Sequence, residues 1–282
     1  MKFKFLGTAA AEGIPALFCN CDVCKEAARR GGRNIRTRCQ AIINGKFLID
    51  FGPDTYMHKL KYNLDLSKIE HCLITHTHED HLYVSDIAMR MPGYAHLSPD
   101  TPPLTIHGLY GAILFVNGGL NAVTHDPRGA VDLKWIGDLY TPEQIGDYKV
   151  TALAAIHGPA TFPVFYLIED KCGKRVLYAH DTNYFCDEVW EYFEKNPVHL
   201  DLVSLDCTQA NDPEMRYIGH MNLNDNIKVK ERLTKLGCAD EKTIFVSNHF
   251  SHNGNDVLYE EFSAIAEKSG ILASFDGMEI EI

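Results

Sequence analysis

The stretch His76-Thr77-His78-Glu79-Asp80-His81 constrains this chain more than any other feature. It places four potential metal ligands, His76, His78, Asp80 and His81, within six residues, directly after the apolar run Cys72-Leu73-Ile74. The run reads as a short buried strand, and a strand ending in this motif delivers imidazoles and a carboxylate to one spot at its C-terminal end. Neutral imidazole and carboxylate suit Zn²⁺, Mn²⁺ or Fe, and the mixed set suits a pair of cations. A histidine-rich polar turn would account for the motif alone. It would not account for the partners of matching type that follow later strand-like runs.

Three such runs stand downstream. Val150 to Ile156 is largely apolar and ends at His157-Gly158. Arg175 to Ala179 is followed by His180-Asp181-Thr182, and Thr243 to Ser247 by Asn248-His249. Each candidate sits where a strand runs out, the place where open α/β layers put function. The motif and these followers resemble the metallo-β-lactamase superfamily, and the resemblance covers most of the chain. It implies an α/β fold, a four-layer αββα sandwich holding one or two metals between its halves, with later ligands in the order His, Asp, His. On that resemblance, His76, His78 and His157 hold the first metal, Asp80, His81 and His249 the second, and Asp181 bridges them.

The 282 residues are 45% hydrophobic, as expected of a globular protein with a large core. No linker or low-complexity segment interrupts them, so residues 1–282 are expected to form one domain. No apolar run is long enough to cross a bilayer. The N-terminal Met1 to Leu6 reads as a strand opening onto a glycine turn rather than a secretory signal. The nine cysteines then read as reduced thiols and metal ligands, which implies a cytoplasmic setting. The formal net charge of −11 disfavours broad nucleic-acid binding, which depends on phosphate neutralisation. The one dense basic run, Lys25, Arg29, Arg30, Arg33, Arg36 and Arg38, reads as a solvated helix face plus loop before a phosphate-steering patch. A homodimer is compatible with the sequence, which specifies no assembly.

Strands and helices alternate. Lys2 to Leu6 is a strand, and Ala41 to Asn44 with Lys46 to Phe51 form a hairpin turned at Asn44-Gly45. Val84 to Arg90, Leu109 to Leu120 and Glu188 to Lys195 have helical character. Asn222 caps a helix running to Leu236 and stopped by Gly237, and a further helix covers Asp256 to Lys268. Ile271 to Phe275 and Met278 to Ile282 carry a second hairpin signal around Asp276-Gly277.

Cys19-Asn20-Cys21-Asp22-Val23-Cys24 is a second candidate metal site. Three thiolates at this spacing take three corners of a zinc tetrahedron, and His252, three residues after His249, is the choice for the fourth. Four protein ligands leave no open position, so the role would be structural, tying the N-terminal loop to the C-terminal half. Buried cysteines near a helix start are the alternative.

The cluster narrows the resemblance to the PhnP branch, the carbon–phosphorus-lyase accessory phosphodiesterases. The opening Gly7-Thr8-Ala9-Ala10-Ala11-Glu12-Gly13-Ile14-Pro15 is similar, as are Leu48 to Gly52, Leu205-Asp206-Cys207, Ser247 to His252 and Phe275 to Ile280. Ala9 and Ala10 depart from the branch's glycines, His180 from its small or hydroxylated residue, and Pro92 to Asp132 reads as a longer insert. The same cysteine cluster occurs in pyrroloquinoline-quinone biosynthesis relatives.

The resemblance implies a metal-dependent phosphodiesterase for a small cyclic phosphate or nucleotide ester, using two divalent ions (Mn or Zn, with Fe as a further option) and one structural Zn. Two such cations bring the pKa of a shared water towards about 7. Asp80 would help position the nucleophile. Asp50 and Asp206 would orient ligand histidines through their distal nitrogens. Gly219-His220-Met221-Asn222 sets an imidazole just before a helix N-terminus, and the corresponding family histidine protonates the leaving oxygen or contacts phosphate. His107 and His125 lie in the insert and are not expected to be ligands. The acidic surface favours a small substrate over transfer RNA, whose processing relatives add a basic arm not found here. A β-lactam hydrolase would show secretion and fewer clustered thiols. Thioester hydrolysis, a cofactor-biosynthesis role and a non-enzymatic metal-binding protein are the remaining alternatives.

Overall fold

Strict alternation along the strands gives every sheet two packed faces. In the computed structural model, which describes residues 1–123, 129–214 and 217–282, one sheet contains β1 (Lys2–Gly7), β2 (Gln40–Ile43), β3 (Phe47–Ile49), β4 (His71–Leu73), β5 (Leu104–Gly108) and β6 (Val131–Trp135). The second contains β7 (Pro142–Ile145), β8 (Tyr148–Ala154), β9 (Val164–Asp170), β10 (Arg175–Ala179), β11 (Leu202–Asp206), β12 (Ile244–Asn248) and β13 (Leu272–Ala273). The last strand, β14 (Glu279–Glu281), returns to the first sheet and pairs antiparallel with β1.

The helices are α1 (Asp22–Arg30), α2 (Thr55–Tyr62), α3 (Val84–Ile87), α4 (Tyr110–Val123), α5 (Asp187–Lys195), α6 (Leu223–Lys235) and α7 (Tyr259–Ala266). Phe47 and Ile49 of β3 share the space between the sheets with Val176 and Tyr178 of β10. Leu48, between Phe47 and Ile49, turns outward to Ile113 and Val116 of α4. Leu177 turns outward from β10 towards Trp190 of α5 and Val229 of α6. The result is the four-layer αββα arrangement: α3 and α4 cover the first sheet, and α5, α6 and α7 the second.

β3 and β4 run parallel, as do β10, β11 and β12. Their C-terminal ends therefore release their loops at matching edges, and those loops carry the candidate ligands.

Most expected elements form. Asn44 and Gly45 take φ of 50° and 70°, the two positive values that a tight hairpin turn needs. The Asn222 side chain accepts from Asp225 N–H to cap α6, and Gly237 follows at φ 73°. Two expectations are corrected. The helix expected from Asp256 begins at Tyr259, because Leu258 and the residues before it are extended or turned. The C-terminal hairpin does not form: β13 pairs parallel with β12, whereas β14 crosses to β1. Pro92 to Asp132, read as a longer insert, contributes β5 and the start of β6 to the first sheet and α4 to the layer that covers it. His107 lies there, on β5, with its Nε2 3.2 Å from His71 Nδ1, while His125 falls outside the described residues.

The five arginines of the basic run engage the protein itself. Arg29 and Arg30 pair with Glu26, and Arg30 also with Glu261. Arg33 stacks on Tyr259 and Phe275, Arg36 is buried against Phe250, and Arg38 pairs with Asp54. No described helix is long and apolar enough to cross a membrane.

Candidate metal centre

Three residues at strand exits have left-handed backbones: Asp50 after β3, Asp181 after β10 and His249 after β12, with φ of 65°, 50° and 64°. Such values are rare outside glycine and signal a conformation imposed by the surroundings. Asp181 and His249 thereby reach the cleft, and Asp50 reaches the His81 ring behind it. Hydrogen bonds hold the turns, with Asp50 N–H donating to Leu73 O at 2.7 Å and Asp181 N–H to Asp206 Oδ2 at 3.0 Å. Gly52 permits the closest approach: a Cβ there would lie 2.0 Å from Asp80 O. Its lack of a side chain is what lets the β3 exit press against the histidine motif.

The candidate ligands converge. His76 Nε2 is 3.0 Å from His78 Nδ1, which is 3.1 Å from His157 Nε2. His81 Nε2 is 3.3 Å from His249 Nε2 and 3.2 Å from Asp80 Oδ2. Asp181 lies between the two groups. Its Oδ1 is 3.6 Å from His157 Nε2 and 3.9 Å from His76 Nε2, while its Oδ2 is 3.0 Å from both His81 Nε2 and His249 Nε2. Bonds of about 2.0–2.1 Å to one tetrahedral ion set neighbouring donor atoms about 3.3 Å apart, close to these spacings.

The second nitrogens have partners of their own. His81 Nδ1 is 2.7 Å from Asp50 Oδ2, whose carboxylate also accepts from Thr75 N–H and Oγ1. His249 Nδ1 is 2.8 Å from Thr208 Oγ1, His157 Nδ1 is 3.2 Å from Gly219 O, and His76 Nδ1 is 3.0 Å from Thr75 Oγ1. An N–H directed outward at His81 and His157 leaves the inward nitrogen with its lone pair, the tautomer a metal requires. Asp181 Oδ2 then lies buried between imidazole nitrogens yet receives no hydrogen bond. A buried carboxylate oxygen without a donor is costly. A divalent cation resolves that cost, so the donor set fits the metal that its chemistry implies.

Burial works to raise the Asp181 carboxyl, but the neighbouring His249, His81 and His76 outweigh it and hold Asp181 well below the usual carboxylate range. Burial keeps His76 well below the ordinary imidazole value. His220 goes the other way. Burial alone would lower it, but Asp206, at 2.9 Å from its Nδ1, with Asp181 and Asp80 beyond, raises it to about 9.

Asp50 thus meets His81 as expected. Asp206 meets His220 instead, and stands 3.6 Å from His249 Nδ1, which is nearer Thr208. Thr75 and Thr208 escaped sequence reasoning, although each stands beside a motif already singled out. His180 does not enter the centre. It is buried beneath it, with Nδ1 3.3 Å from Cys39 Sγ and Nε2 2.7 Å from Ser204 Oγ.

The cysteine cluster also closes. Cys21 caps α1, and the ligand atoms of Cys19, Cys21, Cys24 and His252 all lie within 4.8 Å of one another. Cys19 Sγ and Cys21 Sγ are 3.6 and 3.5 Å from His252 Nδ1, where bonds of about 2.3 Å to sulfur and 2.0–2.1 Å to nitrogen on one zinc would set them about 3.6 Å apart. Against the effect of burial, Cys24 N–H and His252 bring Cys21 down to about 6, whereas burial pushes Cys24 up to about 12. A set of three thiolates therefore needs a cation.

The imidazoles open onto a cleft of about 390 Å³ whose walls include Glu12, Tyr217, His220, Ser251 and His252. A larger groove of about 470 Å³, over Phe51, Tyr56, Met89 and Tyr94, contains none of the histidines. Chemistry rather than size locates the site.

Fold and donor set together define a metallo-hydrolase of the αββα class. Residues 46–245 match the β-lactamase superfamily domain, and the chain belongs to that family. Similar solved structures include a diphosphatase from the PhnP family, at 20% identity and TM-score 0.73, covering 100% of this chain and 97% of that one. Zn²⁺-bound PqqB from Methylobacterium extorquens is similar at 18% identity and TM-score 0.77, with both chains fully covered. The short form of human tRNase Z is similar at 17% identity and TM-score 0.67, covering 100% of this chain and 99% of that one. At these identities the likeness shows the fold. No curated protein matches the sequence.

Proposed function

We propose that this protein is a metal-dependent phosphodiesterase acting on a small cyclic phosphate or nucleotide ester. The observation that supports it best is Asp181, whose two oxygens face two separate imidazole groups in one cleft. His76, His78 and His157 would hold one divalent ion, Asp80, His81 and His249 the other, with Asp181 shared. When bound, two such ions supply Lewis acidity and a water acidic enough to ionise near neutral pH. Asp80 orients the attacking water from the floor of the cleft. Asp50, held by Thr75, fixes the His81 ring, and Thr208 fixes His249. His220 stands over the cleft with a proton to give to the departing oxygen. Cys19, Cys21, Cys24 and His252 would hold a structural zinc.

The formal net charge of −11 favours a small ester over a long polyanion. Hydrolysis of bis(p-nitrophenyl) phosphate with added Mn²⁺ or Zn²⁺ tests the reading. Absence of metal-dependent turnover across a broad panel of phosphodiesters would overturn it.

Two substitutions probe the roles. Asp50→Asn should weaken binding of the catalytic metal about 10–100-fold, read by competition with a chelator. Unchanged affinity would reduce Asp50 to a turn-closing residue. His220→Ala should lower kcat by about 10²–10⁴ for esters that expel an alkoxide, such as 2′,3′-cyclic nucleotides. The loss should be much smaller for p-nitrophenyl esters, whose leaving group needs no proton. Equal losses would make His220 a phosphate contact rather than an acid.

A further inference from the structure

The cleft contains one carboxylate that this reaction leaves unused. Glu12 lies on the loop after β1, lines the cleft wall, and keeps 31% of its side chain exposed. Its loop is pinned to the β12 exit by Ala10 N–H donating to Phe250 O and Phe250 N–H donating to Thr8 O, each at 2.9 Å. Arg38 Nε also donates to Ala11 O at 2.7 Å. The carboxylate is held from one side, where Ser251 Oγ donates to Oε1 and His252 Nε2 stands 3.7 Å from the same oxygen. Oε2 makes no hydrogen bond among the described residues.

We propose that Glu12 contacts substrate, with Oε2 accepting a hydrogen bond from a hydroxyl or amino group on the alcohol portion of the ester. The cleft would then select a phosphodiester bearing a neutral hydrogen-bond donor there, and reject one bearing a second anion. The physical reason is direct. A fixed carboxylate near the phosphate repels further negative charge, whereas a donor bonded to an ionised group gains a charge-assisted hydrogen bond. Such a bond corresponds to about tenfold to a hundredfold in affinity. The proposal rests on the phosphodiesterase reading. It goes further by naming what the ester must carry and which residue recognises it.

The test compares thymidine 5′-(p-nitrophenyl) phosphate with methyl p-nitrophenyl phosphate, which share a leaving group, the thymidine ester adding a sugar with a free 3′-hydroxyl and a thymine with an N–H donor. Glu12→Ala should lower kcat/KM at least about tenfold more for the thymidine ester than for the methyl ester, mainly through KM. Glu12→Gln keeps an acceptor and should lose less. Zinc content, measured on the same samples, should stay unchanged. Equal losses on both esters, or losses that follow zinc, would make Glu12 a support for His252 and overturn the proposal. Calorimetric binding of thymidine 5′-monophosphate against methyl phosphate provides a readout independent of turnover. A wild-type protein that hydrolyses neither ester leaves the phosphodiesterase reading to the broad panel of phosphodiesters, and binding then decides Glu12. A wild-type preference for the nucleotide that shrinks in Glu12→Ala supports the contact. No preference, or one that persists undiminished in the variant, overturns it.

Discussion

Asp181→Ala is expected to reduce phosphodiester turnover by at least about 10³-fold, equivalent to roughly 4 kcal/mol of lost transition-state stabilisation. Asp181 faces both histidine groups at once, with Oδ2 3.0 Å from His81 and His249 and Oδ1 3.6 Å from His157. Its removal would take away the carboxylate that faces both candidate ion positions. Metal analysis of the purified variant should accordingly show fewer bound ions than the wild type. The fold should survive, because the hydrophobic layers are elsewhere and the lost carboxylate is itself costly to bury without a cation. Circular dichroism checks that point. Turnover within tenfold of wild type, in a folded variant with full metal content, would remove Asp181 from the mechanism.

Cys21→Ser should remove one tightly held zinc and lower the melting temperature by about 10 °C. Structural zinc contributes binding free energy directly to folding, and a loss of a few kcal/mol moves Tm by about 2–4 °C per kcal/mol in chains approaching this size. The site joins the loop before α1 to the turn after β12, two segments more than two hundred residues apart in sequence, as the Cys21–His252 contact shows. Oxygen in place of the thiolate leaves a poorer ligand for zinc. The catalytic ions should remain bound at low temperature, because none of their ligands belongs to the cluster. Zinc content equal to wild type would refute the assignment.

Much of the centre was legible in the sequence because strand ends are easy to read. An apolar run that stops at His157, His180-Asp181 or Asn248-His249 places each downstream candidate ligand in the chain, and the fold then supplies the convergence. The two threonines were harder. A hydroxyl that bonds an imidazole's outer nitrogen has no periodicity, and it becomes significant only once two distant loops meet, as Thr208 and His249 do at 2.8 Å. The sequence points Asp206 at a ligand histidine, yet Met221 N–H and Thr208 N–H hold its Oδ1 while its Oδ2 meets His220 at 2.9 Å. The C-terminal hairpin failed for a different reason. Asp276-Gly277 is a genuine turn signal, but local turn chemistry cannot say which sheet has a vacant edge.

That crossing segment has a mechanical consequence. The Asp276 carboxylate, its side chain 2% exposed, accepts from Thr8 Oγ1, Thr37 N–H and Thr37 Oγ1, so the passage from β13 to β14 is bolted to the loops flanking β1 and β2. The two sheets are laced together, not simply laid face to face. Prising them apart would first require unthreading a strand whose sequence neighbours belong to the other sheet. Donors contributed by opposite sheets therefore keep their mutual spacing through a remote seam, even where no ion spans the gap.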